Sequence, residues 1–352
     1  MDKKIILAVA GSGKTTHIIS KLTLDKRFLI LTYTTNNVNT LRNGIIRKFS
    51  YFPENIKLQS YFVFLNSFCF KPLLSYRIKS NGINWKQPPE FTRNLKRTNL
   101  RFYLDKTNRL YHNRIAKLCE TQNILTDINN RLEKYYDCLF VDEIQDFAGH
   151  DFNLLKSIVK ANCEILFVGD FFQHTFNTSS DGKLNTGLFN DYEKYKQQFR
   201  MVGLIDDPTT LEKSHRCTKT ICDFIKNNIG ISISSATNRT STIKVVNDGS
   251  EADSIINNNS IVKLFYETSY KYECYSDNWG NSKGINHFID VCVILSKKIQ
   301  QALDKEQLSV LNPTTKNKLY VACSRASNNL YFVPDKFVKK YLKQEFQKVK
   351  EK

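Results

Sequence analysis

The chain opens with a short apolar run, Lys4 to Val9, that breaks into Gly11-Ser12-Gly13-Lys14-Thr15-Thr16, after which His17 to Leu22 has the spacing of the first turns of a helix. The pattern predicts strand, glycine turn and helix. Arg27 to Tyr33 reads as a second buried strand, and Asn39 to Phe49 has helical spacing with Leu41, Ile45, Ile46 and Phe49 on one side. Further apolar runs bounded by polar or turn residues stand at Leu58 to Phe64, Cys138 to Val141 and Glu164 to Val168. Strands alternating with helical stretches predict an α/β fold with parallel sheets flanked by helices.

Asn177 to Gly187 has the Ser, Thr, Asp, Asn and Gly content of a loop, and Gly203 to Thr210, with Asp206-Asp207-Pro208, reads as the passage into a second domain. At roughly 150 residues per domain, the chain of 352 residues divides into an expected first domain at 1–204 and a second at 205–352. Ser232 to Ser260 reads as loop-rich connection around a short strand, Thr242 to Val246. Val262 to Tyr266, Asp290 to Leu295, Leu319 to Cys323 and Leu330 to Val333 supply expected strands for a second sheet. Asp335 to Lys352 places Phe337, Tyr341, Phe346 and Val349 among lysines, the pattern of an amphipathic helix packing on the second domain.

With 41% hydrophobic and 24% charged residues the composition is that of a globular protein, which excludes disorder as an overall description. No apolar run approaches the roughly 18 residues needed to cross a bilayer, and no membrane partner is expected. The nine cysteines form no CxxC pair, which fits buried thiols in a reducing cytoplasm. Cys217 and Cys222, with His215 nearby, are the one tempting cluster, but a five-residue gap does not put both thiols on one helical face. Lys3-Lys4 followed by Ile5 to Leu7 and Ala8-Val9-Ala10 superficially resembles an export signal, yet its apolar core is far shorter than the ~7 to 15 residues required.

The formal charge of +18 points to a polyanionic partner. Residues 71–118 hold twelve Lys or Arg, among them Arg93, Lys96, Arg97 and Arg101, against two acids, so this stretch carries +10 of the total. Tyr76, Trp85, Phe91, Phe102, Tyr103 and Tyr111 are interleaved with those charges, making a candidate nucleic-acid surface, with a solvated helical face as the alternative.

Ala8 to Thr15 matches the phosphate-loop form GxxxxGK[ST] with Ala8 in place of the first glycine. Backbone N–H groups from Ala10, Gly11, Ser12, Gly13, Lys14, Thr15 and Thr16 are candidates to converge on phosphate oxygens, with Lys14 reaching the β and γ phosphates and the Thr15 hydroxyl holding Mg2+. Such a loop alone suits a small-molecule kinase, a GTPase or a motor. Leu139 to Glu143 narrows the choice, because an apolar strand there emerges into paired carboxylates. Asp142 is placed to bind Mg2+, and Glu143 to orient and deprotonate the attacking water, the pairing of an ATP hydrolase.

These residues resemble the superfamily 1 helicases, specifically the UvrD/Rep/PcrA group. Asp142-Glu143-Ile144-Gln145-Asp146 is similar to that group's DExQD box, and Gly169 to Gln173 to its GDxxQ motif, whose glutamine reads the γ-phosphate. Leu211 to Ile221, with His215-Arg216, resembles the motif supplying one arginine finger, and Tyr320 to Ala326 resembles YVAxTRA, which supplies a second at Arg325. By the same resemblance His215 stands where an aromatic ring stacks on adenine. Thr32 to Asn36 is similar to the TFTN box and Phe64 to Phe68 to the TxHxF box, which implies nucleic-acid contacts from Tyr33, Thr34, Asn36, Asn66, Ser67 and Phe68. Ser282 to Asn286 resembles the motif ending KGLE, so Lys283 and Gly284 are candidate nucleotide contacts, although Asn286 replaces the glutamate that touches ribose. No glutamine precedes Ala8 to read adenine, and the family's two large inserted domains have no counterpart beyond a reduced insertion at 71–118.

The resemblance implies two RecA-like domains forming an ATP- and Mg2+-dependent translocase or helicase on single-stranded DNA, moving 3′ to 5′, with hydrolysis depending on closure of the second domain. The loss of the large insertions keeps open an ATPase switch that loads or regulates a partner such as a nuclease, and would suit an accessory in DNA repair or antiviral defence.

Overall fold

The computed structural model describes residues 2–175, 184, 185, 187–285 and 287–347. The chain divides into two compact units, one comprising Met1–Leu7, Lys14–Phe171 and Phe176–Thr210, the other Ala8–Gly13, Phe172–Thr175 and Leu211–Lys352.

The first unit is built on strands β1 (Lys3–Leu7), β2 (Phe28–Thr32), β3 (Ile56–Ser60), β4 (Ile83–Asn84), β5 (Leu110–Tyr111), β6 (Cys138–Asp142), β7 (Glu164–Gly169) and β8 (Ile205–Asp206). Six of them form one sheet in the order β3-β2-β6-β7-β1-β8, every pairing parallel. β2 and β6 are buried at every position, which is why their sequences are continuously apolar and do not alternate. The helix Thr35–Phe49 starts earlier than its apolar spacing predicts, because Thr34 caps it by accepting the Asn37 N–H at 3.2 Å. β8 adds to β1 through Lys4 and Ile205, so the first unit continues past residue 204 to Thr210.

Two expectations for this unit are corrected. The strand expected to run from Leu58 to Phe64 ends at Ser60, which caps a helical turn and leads into a π-helix over Phe64–Phe70; there the Lys71 N–H bonds Asn66 O. Residues 71–118 do not form a helical face, and their six interleaved aromatics divide between interior and surface. The segment makes a small fold of short turns around the parallel pair β4 and β5. Phe102, Tyr103 and Tyr111 are its interior, packed about Arg114, itself only 1% exposed. The Arg114 guanidinium stacks 3.7 Å from the Phe102 ring centroid and donates to Thr92 Oγ1 at 3.0 Å and to Phe102 O. Tyr76, Trp85 and Phe91 remain exposed.

The second unit contains the pair β9 (Lys213–Ser214) and β10 (Ser234–Ser235) and a five-stranded sheet. That sheet is made of β11 (Ile243–Val245), β12 (Ile261–Phe265), β13 (Ser276–Asn278), β14 (Asp290–Leu295) and β15 (Leu330–Pro334), in the order β11-β15-β14-β12-β13 and again all parallel. Its core includes Trp279, fully buried with its indole N–H donated to Leu264 O at 2.8 Å. Leu319 to Cys323 is not a strand: it closes the helix Pro313–Cys323, capped by Asn312, which accepts the Thr315 N–H at 2.8 Å. The expected C-terminal amphipathic helix is replaced by tight turns at Asp335–Phe337 and Lys339–Tyr341 and a short helix at Gln344–Gln347, while Val349 lies outside the described residues. Most of the loop expected at Asn177 to Gly187 lies outside them too.

Both units are α/β folds with parallel sheets flanked by helices. Among the described residues no helix is long and apolar enough to cross a membrane, and no group of His, Cys, Asp and Glu is arranged for a metal ion.

Candidate active site

In the first unit, β1 leads to the helix Lys14–Ser20, whose first residues Lys14 and Thr15 are half-buried while Thr16 is exposed. β6 delivers Asp142 and Glu143, 3% and 7% exposed. Glu143 has φ 56° and ψ 46°, a left-handed conformation costing a non-glycine residue about 1–2 kcal/mol. Its N–H donates to Asp142 Oδ1 at 3.0 Å, and its carboxylate accepts from Gln145 Nε2. Gln145, fully buried, in turn accepts the Asp170 N–H on Oε1 at 2.9 Å. Gly169 is required at this junction, since a Cβ there would stand 2.3 Å from Gln145 Oε1 and 2.6 Å from Ile144 Cγ2. Asp142, Glu143, Gln145 and Asp170 are therefore one hydrogen-bonded assembly across the ends of β6 and β7. The hydroxyl of Thr15 and the carboxylate of Asp142 are oxygen donors suited to a hard cation such as Mg2+.

The second unit holds the loop from Ala8 to Gly13, turned through positive φ at Gly11 (71°) and Gly13 (90°). A Cβ on Gly11 would fall 2.6 Å from Arg216 Cβ and 2.8 Å from Ser214 Oγ. Gly11 O accepts the His215 N–H at 2.9 Å. Ser12 Oγ is buried with no hydrogen-bond partner, the state of a hydroxyl that a phosphate oxygen would satisfy. Ala10 is corrected as a phosphate contact: it is fully buried and its N–H is donated to Tyr320 Oη at 2.8 Å, so the available amides begin after it.

Gln173 is 3% exposed. Arg216 is half-buried and donates through Nη1 to Ser324 O at 3.1 Å, beside the C-terminal end of the helix Pro313–Cys323. Arg325 is buried, with Nε on Val321 O at 3.3 Å and Nη1 on Ser282 O and Ile285 O at 3.4 and 3.3 Å. The His215 ring is exposed; Lys283 and Gly284 occupy a turn in which Gly284 has φ 82°, and Asn286 lies outside the described residues. Beside Arg216, Cys217 is buried, its thiol donating to Ser324 O at 3.6 Å and its backbone oxygen accepting from the Cys222 thiol at 4.0 Å.

Of the candidate nucleic-acid residues, Tyr33 is half-buried, edge-on to Phe147 at 6.3 Å between ring centroids, and burial together with Asp151 and Asp146 raises its pKa. Thr34 serves as a helix cap, and Asn36 is exposed in the turn that follows. Asn66 is half-buried and Ser67 exposed on the π-helix. Phe68 is corrected: its ring is stacked on Phe64 at 5.3 Å and covered by the Arg131 guanidinium at 5.0 Å, so no face is open to a base. In the basic segment Arg97 lies 3.9 Å over the Phe102 ring and Arg93 sits 3.8 Å from Glu90, while Lys96 and Arg101 are exposed.

A family model described as an AAA domain, AAA_19, matches residues 2–178. The chain belongs to this AAA-domain family. No curated protein matches it. Among solved structures, the AAA-domain protein is similar to the arterivirus nonstructural protein 10 helicase in complex with DNA, at 13% identity and TM-score 0.49, covering 94% of this chain and 60% of that one. The same arterivirus helicase without DNA gives 13% identity and TM-score 0.49 over 97% and 62% of the two chains, and the PRRSV helicase gives 12% and 0.46 over 96% and 54%. The AAA-domain protein thus spans about three fifths of the length of the arterivirus helicases it resembles. Tyr320, Ser214 and Gly169 were not picked out by reasoning on the sequence of the AAA-domain protein. All three stand inside quoted motifs, so their position was a signal, but their partners come from far along the chain.

Proposed function

We propose that this AAA-domain protein is a Mg2+-dependent ATP hydrolase that moves along single-stranded DNA, a superfamily 1 translocase or helicase of the UvrD/Rep/PcrA type with 3′ to 5′ polarity, acting in the cytoplasm. The observation that carries the reading is the buried carboxylate pair at the end of β6, held in a left-handed turn and tied through Gln145 to Asp170, in a chain that also carries the phosphate loop. The buried Asp142 and Glu143 carboxylates are held in fixed positions, as positioning-based phosphoryl transfer demands. Lys14 and the amides from Gly11 to Thr16 bind the phosphates, and Glu143 takes the proton of the attacking water. Thr15 and Asp142 would hold Mg2+, which would supply neutralisation of the phosphate charge. Gln173 senses the γ-phosphate, Arg216 and Arg325 stabilise charge in the transition state, and His215, Lys283 and Gly284 contact the rest of the nucleotide. Tyr33, Asn36, Asn66 and Ser67 line the DNA path.

The small size of the 71–118 fold favours a second reading, an ATPase switch that loads or regulates a partner such as a nuclease without processive unwinding. ATPase rates measured with and without Mg2+ and single-stranded DNA test the first part: hydrolysis requires the metal and rises severalfold with DNA. Strand displacement measured beside translocation separates motor from switch.

A further inference from the structure

We infer that the small fold of residues 71–118 carries a base-stacking anchor, Trp85, beside a phosphate-binding cleft for single-stranded nucleic acid; the inference rests on the proposed motor reading and extends its DNA path from Asn66 to residues beyond the family boxes.

Trp85 is 62% exposed, an unusual state for the largest apolar side chain. It is nevertheless held in place. Phe62 packs against one side with ring centroids 4.4 Å apart, and His112 lies 5.4 Å from it. Asn84, one residue before, pairs in β4 with Tyr111 of β5, donates from Nδ2 to Asp105 Oδ2 at 2.6 Å and accepts the Lys86 N–H on Oδ1 at 2.9 Å. The indole is therefore a fixed, outward aromatic surface, which loses little freedom on binding a base.

A cleft of about 420 Å³ is lined by Asn66, Lys71, Ser75, Lys79, Ser80 and Ile83 among others. Its donors toward a phosphodiester are the Lys71 and Lys79 ammonium groups and the Asn66 amide, the Ser75 and Ser80 hydroxyls being donated to Lys71 O and Gly82 O, and no carboxylate is among the lining residues. Cleft and ring are joined twice. Ile83, in the cleft, precedes Trp85 by two residues, and Asn66, in the cleft, follows Phe62 by one helical turn. Phosphate in the cleft and base on the indole is the combination by which single strands are bound without sequence preference. The cations singled out from composition are placed less well, since Arg97 is spread over Phe102 and Arg93 faces Glu90.

The protein has two tryptophans, and Trp279 is fully buried, so quenching of indole emission reports on Trp85. A short oligo(dT) strand should quench the emission of the wild-type protein. By fluorescence anisotropy with a labelled copy of that strand, Trp85→Ala should bind about 5- to 150-fold more weakly, whereas Trp85→Phe should stay within about threefold and lose the quenching. Lys71→Ala with Lys79→Ala should flatten the log-affinity against log-salt slope by about 1.4. The ATPase rate without DNA should be unchanged in all of these. If the wild type binds the strand with unaltered emission and Trp85→Ala binds it equally well, the anchor is overturned, the ring belongs to a protein partner, and the motor reading stands. If the wild type binds no strand, both fall.

Discussion

Glu143 offers the sharpest separation of chemistry from architecture. Replacing it by Gln keeps side-chain shape, keeps an oxygen able to accept from Gln145 Nε2, and keeps the left-handed backbone at φ 56°. What is lost is the base, so hydrolysis should fall about 10²- to 10⁴-fold while ATP binding persists. Folding stability should change little, because the backbone strain and the hydrogen bond are both retained, and removing one of two adjacent buried negative charges relieves repulsion. Glu143→Ala should lose activity to the same extent and should also take from Gln145 Nε2 the acceptor that the Gln variant keeps, costing about 1–3 kcal/mol. At about 2–4 °C per kcal/mol for a unit of this size, the Ala variant should melt several degrees below the Gln variant. Single-turnover hydrolysis, fluorescent-nucleotide titration and thermal melts on the three proteins measure this. A Glu143→Gln variant that hydrolyses ATP near the wild-type rate removes Glu143 from the mechanism, and equal melting of the two variants refutes the structural account of Gln145.

Gly11→Ala should weaken nucleotide binding at least about tenfold by titration, since a left-handed L-residue costs about 1–2 kcal/mol and its Cβ would stand 2.6 Å from Arg216 Cβ. Burial pushes the Asp105 carboxyl up, but the Arg109 and Thr107 N–H groups, the Thr107 hydroxyl and Asn84 outweigh it and hold it at about 2; because the folded pKa lies below the unfolded value of about 3.9, its contribution is present above about pH 4 and is lost as pH falls toward 2. Acid melts should therefore show Asp105→Asn less stable than wild type at pH 7 and convergent with it near pH 2. Replacing Arg93, Lys96, Arg97 and Arg101 together by Ala should flatten the salt slope of single-strand binding by about 1.4, two phosphate contacts at about 0.7 each, because only Lys96 and Arg101 are not engaged with Phe102 or Glu90; a change near 2.8 would show all four on phosphates.

What was legible in the sequence was whatever a buried parallel strand or a phosphate-binding turn imposes locally. β6, β7 and β14 follow their apolar runs to within a residue because both faces of each strand are covered, leaving no polar position to blur the edges. The same rule misassigns Leu319 to Cys323, since a five-residue apolar run buried on all sides reads alike in strand and helix, and only Asn312-Pro313 upstream marks the helix start. Long-range partners leave no local trace: nothing near Ala10 announces Tyr320, and nothing near Gln145 announces Asp170.

Composition fails most instructively in residues 71–118. Counting cations there treats Arg114 as surface charge, whereas the fold spends it as an interior brace between Phe102 and Thr92. Counting aromatics treats Tyr103 and Tyr111 as stacking platforms, whereas they are the core that this brace organises. A small fold has too little apolar area to bury a core of aliphatics alone, and it recruits for its interior the residue types that would otherwise signal nucleic-acid binding. The discriminating quantity is therefore exposure combined with rigid backing, and in this segment Trp85, fixed by Phe62 and His112, has both.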